Sequence, residues 1–329
     1  MTFSPLVRIA GPFGLYELGR QLSARHPRIL MYHRFSHDPQ ERCVSRGEFE
    51  RQVRHLAKHY NPVTLGDLLA RLNAGESVPR HTVVITVDDG HADFHDVAWP
   101  VLKAHKVPAT LFVATGFIDG ELWLWPDQVT WILSRADELP ETLNVAGASI
   151  VATDLQQAWS ALINVLLSIP DDQKHRAILE LSDMLQVPLP SEAPDGFKSV
   201  TWDQLRHMQD EGLEVGGHTH THPSMTKVDE ARLPRETAYC LERLSAELGP
   251  KQRPFCYPNG QPDDVGATVR DAVANAGFTG AVVAYADGAR HEDPFYLKRH
   301  GGSDDWDHFR KVVSGVEWLG WRVRSRGIA

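Results

Sequence analysis

Six short apolar runs that do not alternate with polar residues set the architecture. They are "RILMYH" at 28–33, "TVVITV" at 82–87, "ATLFVA" at 109–114, "LEVGG" at 213–217, "PFCY" at 254–257 and "TGAVVA" at 279–284. A strand covered on both faces reads this way, whereas a strand with one wet face alternates. Helical patterns lie between most of them. "SRGEFERQVRHLAKHY" places Phe49, Val53 and Leu56 on one face behind Ser45 as N-cap. "TWDQLRHMQDEG" starts on Thr201 and stops at Gly212, "DEARLPRETAYCLERLSAELG" ends at Gly249, and "DDVGATVRDAVANAG" closes at Gly277. Strands alternating with helices imply a parallel sheet. This many units favour an α/β barrel over a small open sheet.

The alternation breaks between about 120 and 198. "TDLQQAWSALINVLLSIP" puts Leu155, Trp159, Leu162, Ile163 and Leu166 on one helical stripe, and "DDQKHRAILELSDMLQVP" follows as a second helix. "PLPSEAPDGFKS" is a Pro- and Ser-rich return. The stretch is expected to be an inserted helical subdomain of a barrel covering 28–300. Residues 1–27 are expected to form an N-terminal helical segment and 301–329 a C-terminal helix.

A net charge of −9 lacks the basic footprint of a nucleic-acid binder. Cys43, Cys240 and Cys256 are odd in number and far apart, which gives neither a disulfide framework nor a thiolate zinc site. No run approaches the length of a membrane span, and the N-terminus shows no secretory pattern. A cytoplasmic location, with some contact to a membrane surface left open, is the expectation.

In a parallel barrel the reactive side chains sit just past the C-terminal ends of the strands. Run 82–87 delivers Asp88 and Asp89, run 213–217 delivers His218, His220 and His222, run 254–257 delivers Pro258, Asn259 and Gly260, and run 28–33 delivers His33 and Arg34. Imidazoles with one carboxylate form a binding set for a divalent metal. The cation would neutralise one aspartate and leave the other as a base. Taken singly each signal is weak, because Asp-Gly and Tyr-Pro-Asn-Gly are ordinary turn sequences. Their coincidence at successive strand ends is what points to chemistry.

"ITVDDG", "GGHTHTHPSMT" and "FCYPNG", in that order, resemble the motifs of the NodB-type polysaccharide deacetylases, carbohydrate esterase family 4; "ILMYHRF" and "VPATLFVATGFI" resemble its flanking strands. The resemblance covers roughly 28–120 and 198–300. It implies a deformed (β/α) barrel of the NodB-homology type and a metal-dependent deacetylase. It also implies Asp88 as general base, Asp89, His218 and His222 as ligands of a divalent metal, and His220 turned elsewhere. Zinc is the first expectation, with Co2+, Ni2+ or Mn2+ as alternatives. The N–H of Asn259, next to Tyr257 and Pro258, would meet the oxyanion.

Two departures stand out. Many members carry an arginine in the third motif that pairs with the base, and Cys256 stands there instead, so Arg34 or Arg299 would have to orient Asp88. The late motif that supplies the acid is matched only loosely by "YLKRHGG", which makes His300 the candidate acid, with His33 and His220 next in line. His33 is otherwise expected to hydrogen-bond a neighbouring carboxylate rather than to bind metal. Trp123, Trp125 and Trp131 suit sugar stacking or a core. The aromatic, basic C-terminus suits a membrane surface or a helix packed on the barrel. The expected substrate is an N-acetylated glycan or glycolipid, a surface polysaccharide or its precursor, with no nucleic-acid partner. A small non-sugar amide, or an impaired barrel that only binds carbohydrate, are the competing readings.

Overall fold

The structure, a computed structural model, describes residues 14–40, 42–151, 153–287, 291 and 293–326. Residues 1–13 of the expected N-terminal segment and 327–329 of the C-terminal one lie outside the described residues. Eight parallel strands form the central sheet: β1 (Arg28–Tyr32), β2 (Asn61–Val63), β3 (Thr82–Val87), β4 (Thr110–Val113), β5 (Glu214–Gly217), β6 (Phe255–Cys256), β7 (Ala281–Val282) and β8 (His300–Gly301). Their order is β7-β6-β5-β4-β3-β1-β8, with β2 beside the first half of β3. Every residue of β3 is buried, as its unbroken β-branched run requires. Leu30 pairs with Ile85 and Thr86 with Thr110.

The two edges approach each other. Leu297, just before β8, forms a parallel bridge with Val282 of β7, while His300 of β8 pairs with Leu30 of β1. The segment 297–301 therefore spans the gap, and the sheet curls into the deformed barrel that the sequence implied.

Capping chemistry fixes the helices that wrap it. The Ser45 hydroxyl accepts from the Glu48 N–H at the start of Arg46–His59, whose Phe49, Val53 and Leu56 are fully buried. Thr201 and Gln204 form a reciprocal capping box at Trp202–Asp210. Gly277, at φ 101°, ends Ala267–Ala276 in the left-handed conformation that a side chain would resist. The expected helix over 229–249 forms from 233 to 248 behind a short turn at Glu230–Arg232, with one wide π-helical stretch at Arg235–Tyr239. Pro234 sits in its first turn, where the missing N–H costs no helical bond.

Between β4 and β5 the chain forms helices Trp125–Arg135, Leu155–Ser168 and Asp171–Met184. It also forms a hairpin, Thr142–Val145 with Ala148–Val151, that the sequence reading did not foresee. These elements share a core of their own, including Val129, Ile132, Leu143, Leu162, Leu166 and Ile178. Of the single stripe expected on Leu155–Ser168, Leu162 and Leu166 are buried with Ala158, Trp159 and Ile163 are half-buried, and Leu155 is exposed. The C-terminal helices Trp306–Val313 and Val316–Arg326 pack on the barrel through Phe309, Val312, Val313 and Trp318. No helix among the described residues is long and apolar enough to cross a membrane.

Candidate active site

The C-terminal ends of β1, β3, β5 and β6 open into a cleft of roughly 710 Å³. It is lined by His33 and Arg34, Asp88, Asp89 and His91, His218 and His222, and Tyr257 and Asn259. Asp89 sits in the left-handed region at φ 78°, followed by Gly90 at φ 90°. A Cβ on Gly90 would come within 2.9 Å of Val113, so the turn that brings both carboxylates to the cleft needs glycine there. In the histidine loop Thr219 and His222 are also left-handed, at φ 66° and 59°. The Thr219 hydroxyl accepts from the His222 N–H at 2.9 Å. That turn aims His218 and His222 the same way, with ring centroids 4.8 Å apart. The loop is held from behind by fully buried Glu236, which accepts from the N–H of His220 at 3.2 Å, the N–H of Thr221 at 2.8 Å and the Thr221 hydroxyl at 2.7 Å.

The Nε2 atoms of His218 and His222 each lie 3.3 Å from the same oxygen of Asp89. The two 3.3 Å separations are well within what a pair of metal–ligand bonds of about 2.0–2.2 Å spans. The His218 tautomer tests the fit. Its Nδ1 lies 2.7 Å from the Cys256 carbonyl, which can only accept, so Nδ1 carries the proton. Burial would lower the His218 pKa, but Cys256 and Asp89 outweigh it and raise it, so without an ion Nε2–H can donate to the Asp89 carboxylate. A divalent ion would take the place of that proton, and two imidazoles with one carboxylate are a donor set that suits zinc or a similar ion. Asp88, His218 and Cys256 form a second close group. It fits a cation poorly, because both Asp88 oxygens already face a guanidinium.

That guanidinium is Arg299, which donates from Nη1 to Oδ1 at 2.6 Å and from Nη2 to Oδ2 at 2.8 Å. Both side chains are buried. Burial alone would raise the Asp88 pKa, but the Arg299 charge and its hydrogen bonds outweigh burial and hold the carboxyl below its usual range. Arg299 also donates toward the Cys256 sulfur at 3.1 Å. The cation missing from the third motif thus arrives from the seam strand. Arg34, the other candidate for this task, does not serve it. It bonds Asp93 at 2.6 Å and lies 3.6 Å from Asp127.

His300 does not reach the cleft. Successive residues of a strand point to opposite faces, so Arg299 pointing inward sends His300 outward. There its Nδ1 lies 3.4 Å from Glu317 and its ring stacks on Trp321 at 5.9 Å. His220 is buried behind the loop, 2.9 Å from the Thr115 hydroxyl and 3.2 Å from Glu121. His33 lines the cleft with Nε2 3.6 Å from Asp88 and its side chain 46% exposed. Tyr257 lines the cleft while its hydroxyl donates to the Phe295 carbonyl at 3.2 Å. Pro258 forms the turn that follows, its carbonyl accepting from Gly260 at 2.6 Å. Asn259 is left-handed at φ 58°, with its side chain tied to Asp264.

The sequence reading missed a chain of groups behind Asp89. His91 Nε2 lies 2.7 Å from Asp127, and its Nδ1 lies 3.8 Å from the second oxygen of Asp89. Asp127 comes from the insertion, so no local spacing could have paired it with His91. Of the three tryptophans, Trp125 lines the cleft, whereas Trp123 and Trp131 pack on each other and on Phe197.

A polysaccharide deacetylase family model matches residues 75–281, most of the barrel and all of the insertion, and the chain belongs to that family. A poly-β-1,6-N-acetyl-D-glucosamine N-deacetylase of Staphylococcus aureus is 35% identical over 79 residues, 24% of this chain and 27% of that protein, so the shared stretch spans about a quarter of the relative. Two solved structures share the fold. The Streptococcus pyogenes deacetylase PplD, in complex with acetate, superposes with a TM-score of 0.59 at 16% identity, over 88% of this chain and 98% of that one. IcaB from Ammonifex degensii gives 0.58 at 20% identity, over 89% and 97%.

Proposed function

We propose that the chain hydrolyses the acetamide of an N-acetylated sugar, with a divalent metal held by Asp89, His218 and His222. The observation that carries this reading is the convergence of two imidazole nitrogens on one Asp89 oxygen beside a second aspartate locked to Arg299. Bound there, the cation would polarise the acetamide carbonyl as a Lewis acid.

The chain's own residues supply the rest. Asp88, ionised because Arg299 faces it, takes a proton from the attacking water as the new C–O bond forms. The N–H of Asn259, at the cleft wall, meets the developing oxyanion. His33, in the cleft on the open side of Asp88, protonates the nitrogen as the C–N bond breaks, giving acetate and a free amine. The role expected of His300 passes to His33 because His33 is the histidine in reach that neither metal binding nor burial claims. Cys256 in place of an arginine favoured an impaired barrel; Arg299 restores the lost cation and removes the reason for that reading.

Metal analysis with an acetate-release assay on N-acetylglucosamine oligomers tests the proposal. One divalent ion per chain is expected, lost in His218→Ala together with turnover. Turnover that survives removal of the ion would overturn it. His33→Ala is expected to keep the ion and lower kcat by about a hundredfold; an unchanged kcat would remove His33 from the mechanism.

A further inference from the structure

One wall of the cleft is an apolar strip, with the Arg42 guanidinium lying over its Trp159. Trp159, Ile163 and Leu167 of helix Leu155–Ser168 line it. Spaced four apart, they form one stripe along the helix. A different stripe, Ala158, Leu162 and Leu166, fills the insertion's own core. A surface helix normally has one apolar face. Here the two stripes adjoin, about 100° apart, and make one wide face: Trp159, Ile163 and Leu167 pack partly on the insertion's core and turn their remaining surface to the cleft.

The stripe has a direction. The helix runs on into Asp171, whose carboxylate accepts from Arg232 at 2.8 Å, and Arg232 donates to Thr221 of the histidine loop at 3.3 Å. Leu167 therefore lies at the end near the metal ligands. Trp159 is two turns further out, with the Arg42 guanidinium 3.2 Å from its ring centre. Leu155, one turn beyond, is 51% exposed, and Val151 just before it is 69% exposed. The Trp159 N–H is already given to the Thr130 hydroxyl at 3.0 Å, and that hydroxyl donates to Pro126 at 2.9 Å. Arg42 covers the Trp159 face on which a sugar ring would stack, and Ile163 and Leu167 offer a glycan's hydroxyls no partner, so losing their water there is costly. A hydrocarbon chain would lose nothing and cover exposed carbon.

We infer that this stripe is the subsite for a hydrocarbon chain, and that the substrate is an acetamido sugar carrying an acyl- or prenyl-like aglycone. The inference rests on the deacetylase reading above and specifies its substrate class. The apolar track is continuous with the cleft that holds Asp88 and Asp89, so head group and chain occupy one cavity.

The test compares octyl and methyl glycosides of N-acetylglucosamine with the zinc-loaded protein, by acetate release. The octyl glycoside is expected to have at least a tenfold higher kcat/KM, since its additional methylenes leave water for the apolar track. Ile163→Asp should bring the ratio near one, and Ile163→Thr, closer in shape, serves if the charged variant melts early. Equal kcat/KM for the two glycosides overturns the inference. So does an octyl advantage that survives both substitutions, or a rate that rises instead with the length of a β-1,6-linked N-acetylglucosamine oligomer. If neither glycoside releases acetate, the hydrolytic reading fails, and calorimetry decides the subsite alone. Octyl glycoside binding lost in Ile163→Asp then supports the apolar track, and no binding overturns it.

Discussion

Asp88→Asn is expected to cut turnover by about two to four orders of magnitude, the usual cost of losing a general base, while the divalent ion stays bound. The change is nearly isosteric and removes no proposed ligand, because Asp89, His218 and His222 are untouched. What it removes is the negative charge that meets Arg299 through two hydrogen bonds of 2.6 and 2.8 Å. The amide cannot take a proton from water. It also leaves a buried guanidinium without its counter-charge, so melting should be followed beside turnover and the rate normalised to folded protein. Acetate release together with metal titration separates the outcomes. Near-normal turnover would show that another group is the base, and loss of the ion would show that Asp88 helps to hold it.

Arg299→Met is expected to destabilise the fold by about 3–5 kcal/mol near neutral pH, the cost of stripping one partner from a buried ion pair. It should also move the acid limb of the pH–rate profile. In the wild type the Asp88 pKa is depressed. Its contribution to stability is therefore full above the unfolded carboxylate value, near 3.9, and is lost as pH falls through the lower folded value. Without Arg299, burial acts with much less opposition and the folded pKa rises. Two signs follow. Turnover in the variant needs a higher pH than in the wild type, because the base must be ionised. The stability deficit shrinks as pH falls, because the protonated carboxyl no longer leaves an uncompensated buried charge. Melting at pH 5 and pH 8 with a pH–rate profile tests both, and an acid limb that does not move would sink the account of Arg299.

The strand runs and the two chemical loops were legible because their signals are local. Buried β-branched stretches announce strands, and Asp-Asp-Gly and the spaced histidines follow them directly. Contacts that close over long distances were not. Arg299 meets Asp88 across 211 residues, and from sequence it could be named only as one of two candidates. Asp127 and Glu236 are single acidic residues whose partners exist only in three dimensions. The misassignment of His300 had an available remedy. Period-two alternation forbids adjacent Arg299 and His300 from facing the same cavity, and the ion pair settles which one does. The hairpin at 142–151 carries a turn signal in Ala146 and Gly147, both at positive φ, but only the glycine is a usual choice there. On helix Leu155–Ser168, counting apolar residues found a stripe but could not show that it divides between a core and a cleft.

Arg299 sits in the segment that bridges the first and last strands of the barrel. Such a contact carries the largest loop-closure cost in the sheet, so on a growing chain it cannot form until nearly all of the protein has been made. Until then Asp88 lacks the guanidinium that keeps it charged on burial. A chain cut before the seam could retain both histidines and both aspartates and still lack a working base. On the proposed mechanism, hydrolysis of an acetamide would thus report that the ring of strands has shut.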